Sequence, residues 1–419
     1  MRDYFFLPEG LNLIELMKHN GMGHLATRTF TAKCHFIVDY VYVQNHILKK
    51  AGKFDDGYVP VCYQVLREVI GPHYAARAKR VLTALGILQE KPGRDGKENY
   101  CAARHESKRY KLAPEYAQMA FRRVSHFGGR LQSRILANRA RRNSEAIAAH
   151  AGRSLIQRSI ESLSFDAEGA KAFVEAAPYD SECKRNARYM IIELLKSREY
   201  LYSEDKAGRF YHLLTMCPQD VRRFLSWCGE PLWSVDVSQC QPALHASLYS
   251  GESEERSRFI DLVSKGKLYV YLNSQLSCPV DLENPKQKRQ FKENIFACTF
   301  YSCPFKEQRD EIAKVFQKSF PLLTDAINKT KRSIGWKKLP VEFQRLEADI
   351  VINSVAKRLA EAHSGQSYCL ISIHDCLITT ESHVQEVCVV LCDEFRKRLG
   401  FKVSVKTSCL GLAPLPIAS

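Results

Sequence analysis

Two aspartates direct attention first. Asp236 lies in Leu232-Trp233-Ser234-Val235-Asp236-Val237-Ser238, and Asp375 in Cys369-Leu370-Ile371-Ser372-Ile373-His374-Asp375-Cys376-Leu377-Ile378. A carboxylate inside an apolar run is costly to bury unless it is paired or holds a metal. Between the two runs lies a basic segment with Lys288, Arg289 and Lys292. Acids for a divalent cation and bases for a triphosphate are the residue types that nucleotidyl transfer requires. Each feature alone has a plainer explanation. Asp236 could simply cap a strand–helix turn, and His374 could be a structural histidine bonded to backbone.

These residues need elements to hold them. Asp236 ends an extended apolar run, and Pro242 suits the first turn of a helix that starts near Ser238 or Gln239. A metal beside Asp236 could then also use the backbone carbonyl of Val237. Residues 368–380 have the form of a hairpin with His374-Asp375 at its tip, facing Asp236. Lys288, Lys292, Phe296 and Phe300 recur at intervals of four, so on a helix they form one slowly drifting stripe, cationic at its start and aromatic at its end. Cations suit a triphosphate and an aromatic floor suits base and sugar. An ordinary amphipathic helix with a basic start has the same spacing. A further helix is expected over 344–356, leading into the second aspartate run.

The chain has 419 residues, enough for two or three domains, and its 45% hydrophobic content is that of a globular protein with a full core. The formal charge of +16 favours a polyanionic partner, nucleic acid by default. No apolar run approaches the roughly 18 residues of a membrane span, and the opening Met1-Arg2-Asp3-Tyr4 has no signal-like segment. A cytoplasmic, nucleoid-associated protein with no membrane partner is the expectation. The 15 cysteines are scattered, without a C-x-x-C pair, which points to reduced thiols rather than disulfides or zinc.

Upstream, residues 59–111 read as a winged helix. A short helix over 59–70 is followed by a second from Pro72, ended by Gly86, and then by a strand at 87–89, a turn at 92–96 and a return strand near 108–112. Arg77, Lys79 and Arg80 on the second helix suit contact with phosphates. A solvated face on a protein-interaction module is the competing explanation. Residues 122–200 read as helical and rich in arginine, either a thumb tracking a duplex backbone or a charged linker.

In this order the motifs resemble the polymerase domain of family A DNA polymerases, with kinship to single-subunit phage-type RNA polymerases. Gly208-Arg209 resembles the family's Thr-Gly-Arg segment. Asp236-Val-Ser238-Gln239-Cys-Gln241 resembles motif A, Asp-Tyr-Ser-Gln-Ile-Glu. Lys288-x3-Lys292-x3-Phe296-x3-Phe300 resembles motif B, Arg-x3-Lys-x3-Phe-Gly-x2-Tyr-Gly. Gln344-x2-Glu-Ala-Asp-Ile resembles Gln-Gly-Thr-Ala-Ala-Asp-Ile, and His374-Asp375 resembles motif C, His-Asp-Glu. Each motif is weak alone; their shared order over about residues 205–410 is specific.

The resemblance implies an α+β fold: a right-hand polymerase palm, made of antiparallel sheet with helices, plus reduced fingers, preceded by a helical thumb-like region and a winged-helix N-terminal domain. The corresponding boundaries are 1–120, 121–204 and 205–419, with the fingers inserted at about 255–340. It implies a template-directed DNA polymerase that extends a nucleic-acid 3′ end with two Mg²⁺ ions, Mn²⁺ being an alternative, held by Asp236, Asp375 and the Val237 carbonyl. Lys292 would neutralise the transferring phosphates, assisted by Lys288 or Arg289. Phe296 and Phe300, or Tyr301 with a one-residue shift, would stack beside the nucleotide. Gln241 would gate the sugar, His374 would position the primer terminus, and Arg209 and Gln344 would contact the template or primer backbone. DNA and nucleoside triphosphates are the implied partners, with RNA as an alternative polymer.

Several positions depart from the family. Gln241 stands where a Glu excludes the ribose 2′-OH, motif B lacks both glycines, and Cys376 replaces the Glu of motif C. Three functions follow: a DNA polymerase serving replication of a phage, plasmid or other mobile element; an RNA-synthesising, primase-like or terminal-transferase enzyme; and a non-catalytic DNA-binding replication initiator or regulator.

Overall fold

The structure, a computed structural model, describes residues 3–48, 57–92, 107–125, 129–148, 150–303 and 310–411. The chain is mixed α+β, and every strand pairing among the described residues is antiparallel. No helix among them is long and apolar enough to cross a membrane. The described cysteines are free thiols.

The chain begins with β1 (Tyr4–Pro8), followed by the long helix Arg28–Leu48. Then come β2 (Val59–Pro60), the helices Tyr63–Ile70 and Pro72–Ala84, β3 (Leu88–Glu90) and β4 (Arg109–Leu112). These strands form a small sheet in the order β2-β4-β3. The first of the two helices starts four residues later than the sequence predicts, because Val59 and Pro60 pair with Tyr110 and Arg109 instead. The second ends as expected: Gly86 takes φ +71, and Ile87 N–H returns to the Leu82 carbonyl. The turn expected over 92–96 lies, from residue 93 on, outside the described residues.

Segment 122–200 is not helical throughout. Residues 121–125 form β5 (Phe121–Ser125), paired along its whole length with β1. Burial decides this: Phe5, Phe6 and Leu7 are core residues, and the Phe6 ring meets the Phe121 ring edge-on at 4.8 Å. Helices Gly129–Ile147, Ala151–Glu161, Ala167–Ala176 and Glu182–Lys196 follow, broken by β6 (Leu163–Phe165).

A short hairpin, β7 (Ser203–Glu204) and β8 (Phe210–Tyr211), leads to β9 (Leu225–Trp227) and the long β10 (Glu230–Val237). Far downstream the chain adds β11 (Ile371–Ile373), β12 (Cys376–Thr380) and β13 (Val405–Cys409). The main sheet runs β11-β12-β10-β9-β6, and β13 also pairs with β10. On β10, Leu232, Val235 and Val237 are buried. The helix Val384–Leu399 packs against β10, β12 and β13, burying Val387, Leu391 and Phe395 at intervals of four. Asp236, between two core valines, therefore emerges on the opposite face of the sheet.

The insertion between β10 and β11 is helical. Phe259, Phe316 and Phe320 build an aromatic core for it, with Phe259 and Phe320 edge-to-face at 5.0 Å. Two stretches are π-helical, Phe296–Phe300 and Asp349–Ala356. Such turns often mark functional sites.

Candidate active site

Strand register brings the two aspartates together. β10 pairs with β12 so that Asp236 lies opposite Cys376, the residue that follows Asp375. Asp375 occupies the two-residue turn between β11 and β12, as the hairpin pattern predicts, and His374 takes a left-handed φ of +59 there. The His374 ring rests edge-on against Tyr211 at 5.6 Å. Burial raises the pKa of both acids. For Asp375 the negative charges of Glu347 and Asp236 push it further, well above the usual carboxylate range. For Asp236, Lys292 and Lys406 oppose the rise. Among the described residues no cation stands in ion-pair contact with either carboxylate.

The cations lie close by. A cleft of about 260 Å³ is lined by Asp236, Ser238, Gln239, Lys288, Lys292 and Lys406 among others. Lys288 and Lys292 come from the helix Pro285–Ile295, which Asn284 caps through its side chain and Pro285 opens. Lys406 faces Asp236 across the β10–β13 ladder. Burial, with Lys288 and Lys406 nearby, lowers the Lys292 pKa, and Asp236 opposes that. The cleft thus sets the Asp236 carboxylate among three lysines, with Asp375 in the adjoining turn. Such a set can hold a divalent cation at the aspartates and polyphosphate oxygens at the lysines.

A buried polar chain flanks this cleft. Glu347, 1% exposed, accepts from Arg209 Nη2 at 2.6 Å and from Gln241 Nε2 at 2.6 Å. Gln241 Oε1 in turn accepts from the Tyr301 hydroxyl at 3.1 Å. Tyr301 reaches Gln241 because of the π-turn: Tyr301 N–H bonds the carbonyl of Phe296, five residues back. The extra residue rotates everything after it by about one position.

This corrects the expected stripe. Phe300 is wholly buried against His245, Phe296 and Phe316, so it does not line the cleft. Tyr301 is half-buried instead, its hydroxyl on Gln241 and the Phe296 ring stacked on it at 5.5 Å. Arg289 is corrected too. It sits on the solvent side of its helix, bonded to Glu293, because it follows Lys288 by one residue and so points about 100° away. Lys79 does not share a face with Arg77 and Arg80. Its ammonium lies between the Tyr63 and Tyr110 rings at 5.7 and 5.4 Å, while Arg77 and Arg80 are exposed.

Gln344 is half-buried on the helix Leu339–Ala348, three residues before Glu347. Val237 ends β10 opposite Val405, its side chain in the core. Glu347 and Lys406 escaped the sequence reading. Glu347 stands among other charged residues, Glu342, Arg345 and Asp349, so charge pattern does not single it out. Nor does it single out Lys406, in a basic tail segment.

No protein-family model matches the chain, and no curated protein matches it by sequence. Among solved structures, the POL domain of Pol1 from M. smegmatis, in complex with DNA primer-template and dNTP, resembles it with a TM-score of 0.42 and 16% identity. That similarity spans 58% of this chain and 55% of the mycobacterial one, little more than half of each.

Proposed function

We propose that this protein is a nucleotidyltransferase, a template-directed DNA polymerase that extends a nucleic-acid 3′ end. The observation that carries the reading is the β10–β12 register, which sets Asp375 in the turn beside Asp236, while Asp236 itself lines a cleft with Lys288, Lys292 and Lys406.

The donor chemistry suits Mg²⁺, with Mn²⁺ as an alternative. The two carboxylates repel one another, among the described residues no cationic side chain is in ion-pair contact with either, and hard oxygen donors are what these ions take. Among the described residues no group of three or more His, Cys, Asp or Glu side chains converges as a metal set, so backbone, water and substrate oxygens would complete the shell around Asp236 and Asp375. Bound there, Mg²⁺ would supply Lewis-acid stabilisation of the attacking and leaving oxygens.

The remaining work belongs to the chain. Lys288 and Lys292 bind and neutralise the triphosphate, and Lys406 adds a third charge beside Asp236. Tyr301 and Phe296 offer a stacking surface for the incoming nucleotide. Gln241 borders the sugar, held by Glu347 and Tyr301. His374 positions the primer terminus from the hairpin turn. Arg209 and Gln344 face the primer–template, and Arg77 and Arg80 hold DNA outside the cleft.

A second reading keeps the mechanism and takes ribonucleotides. The neutral amide of Gln241 favours it, because it sets no negative charge at the position that borders the sugar. A primed template with labelled dNTPs or rNTPs, with and without template, separates the two. DNA polymerase activity requires dNTP incorporation that depends on template and disappears in Asp236→Ala and Asp375→Ala. Absence of incorporation under every condition would leave a non-catalytic replication initiator or regulator. Service to a phage, plasmid or other mobile element remains part of the proposal.

A further inference from the structure

A second cationic concavity lies away from the aspartates, where the helices Arg28–Leu48, Pro72–Ala84 and Gly129–Ile147 meet. It encloses about 500 Å³, and none of its lining residues is acidic. Lys33, Arg130 and Arg134 line it from two of these helices, and His73 and Tyr74 from the third.

Lys33 is the telling residue. It is 9% exposed, its ammonium lies on the Tyr74 ring 3.0 Å from the centroid, and among the described residues no carboxylate is in ion-pair contact with it. Burial, Arg134 and Arg130 all disfavour its charge. Three cations gathered here without an acidic lining residue leave a positive surplus that an anion would offset. The Arg134 guanidinium also reaches Gly71, where an added Cβ would sit 3.7 Å from Nη1. That places it at the start of the helix Pro72–Ala84, whose first-turn N–H groups have no acceptors within the helix. The helix Gly129–Ile147 also begins at this cavity, so two positive dipole ends face the same space as three cations.

We infer that this concavity binds a phosphate monoester, the 5′-terminal phosphate of a nucleic-acid strand. A backbone diester brings one negative charge. A terminal monoester brings nearly two, with three acceptor oxygens, and matches three cations and two helix ends better. The site is remote in sequence from Asp236 and Asp375, and the inference does not depend on the polymerase reading.

The test uses the full chain without divalent metal, so that binding is scored apart from catalysis. Affinity is measured at fixed salt for one 3′-labelled oligonucleotide ending in a 5′-phosphate or a 5′-hydroxyl. The phosphorylated end should bind about tenfold tighter, the worth of one charge-assisted contact set. Lys33→Met and Arg134→Gln, tested separately, should each bring the ratio close to one. The wild-type ratio needs no variant, so it tests the inference even if a variant fails to fold. A ratio near one with no effect of a free deoxynucleoside monophosphate on wild-type thermal stability overturns the site. A ratio that survives both substitutions also overturns it. A ratio near one, with a free monophosphate stabilising wild type and neither variant, keeps the phosphate pocket and makes the free nucleotide its ligand.

Discussion

Gln241 Nε2 donates to Glu347 at 2.6 Å, and that bond fixes which way the Gln241 amide points. A carboxylate can only accept, so Oε1 is left facing the Tyr301 hydroxyl. The Arg209 guanidinium, 2.6 Å away, neutralises the same carboxylate. Glu347 is therefore a positioning residue shared by three segments distant in sequence.

Replacing it should be costly. Glu347→Ala leaves the half-buried Arg209 without a counter-charge and frees the amide, with an expected loss of about 3 kcal/mol in urea unfolding. Glu347→Gln keeps the shape and should lose less. Both should change the ratio of dNTP to rNTP incorporation, which a purely structural role would leave alone.

The aspartates should behave in the opposite way. Asp236→Asn and Asp375→Asn relieve mutual repulsion, so melting temperature should hold or rise while primer extension falls by about a thousandfold. Mg²⁺ should stabilise wild type by about 2.7 kcal/mol at a hundredfold excess over its dissociation constant, and should do nothing for either variant. Thermal scans with Mg²⁺ and with a chelator read this directly.

Lys331 supports the π-turn. Its ammonium, 1% exposed, donates to the Thr299 carbonyl at 2.7 Å and to Ser302 Oγ at 3.2 Å, bracketing Tyr301. Lys331→Met leaves the Thr299 carbonyl only its 3.3 Å bond from Ser302 Oγ, at a cost of about 1 kcal/mol. It should also raise the nucleotide KM more than it lowers kcat, because Tyr301 loses its placement. Steady-state kinetics with unfolding curves check both halves.

Acid should destabilise the fold through three buried histidines. Burial pushes His212 and His245 down to about 3, and burial with Arg122 nearby pushes His35 down to about 4. All three are neutral in the fold, but protonate near 6.5 once unfolded. Their contribution is complete above pH 6.5 and is lost as pH falls below it, each by up to about 1.4 kcal/mol per pH unit. Urea unfolding at pH 7.5 and 5.5 measures the drop. His245→Phe, placing another ring between Phe300 and Phe343, should reduce it.

Much of this site is legible in the chain itself. Period-two burial puts Asp236 on the face opposite Val235 and Val237, and the apolar runs flanking His374-Asp375 make a hairpin with the acid in its turn. Gly86, Asn284 and Pro285 mark helix ends by their own backbone preferences. These are local consequences of side-chain alternation and φ/ψ, so they survive without knowledge of neighbours. Which residues meet across the chain is a different matter. The β10–β13 register brings Lys406 to Asp236, and β1 claims residues 121–125 as a strand. One extra residue in a π-turn exchanges Phe300 for Tyr301, and Glu347 gains its meaning only when Arg209 and Gln241 converge on it. Each of these depends on burying surface between segments far apart in sequence, and that energy is written in no single stretch of residues.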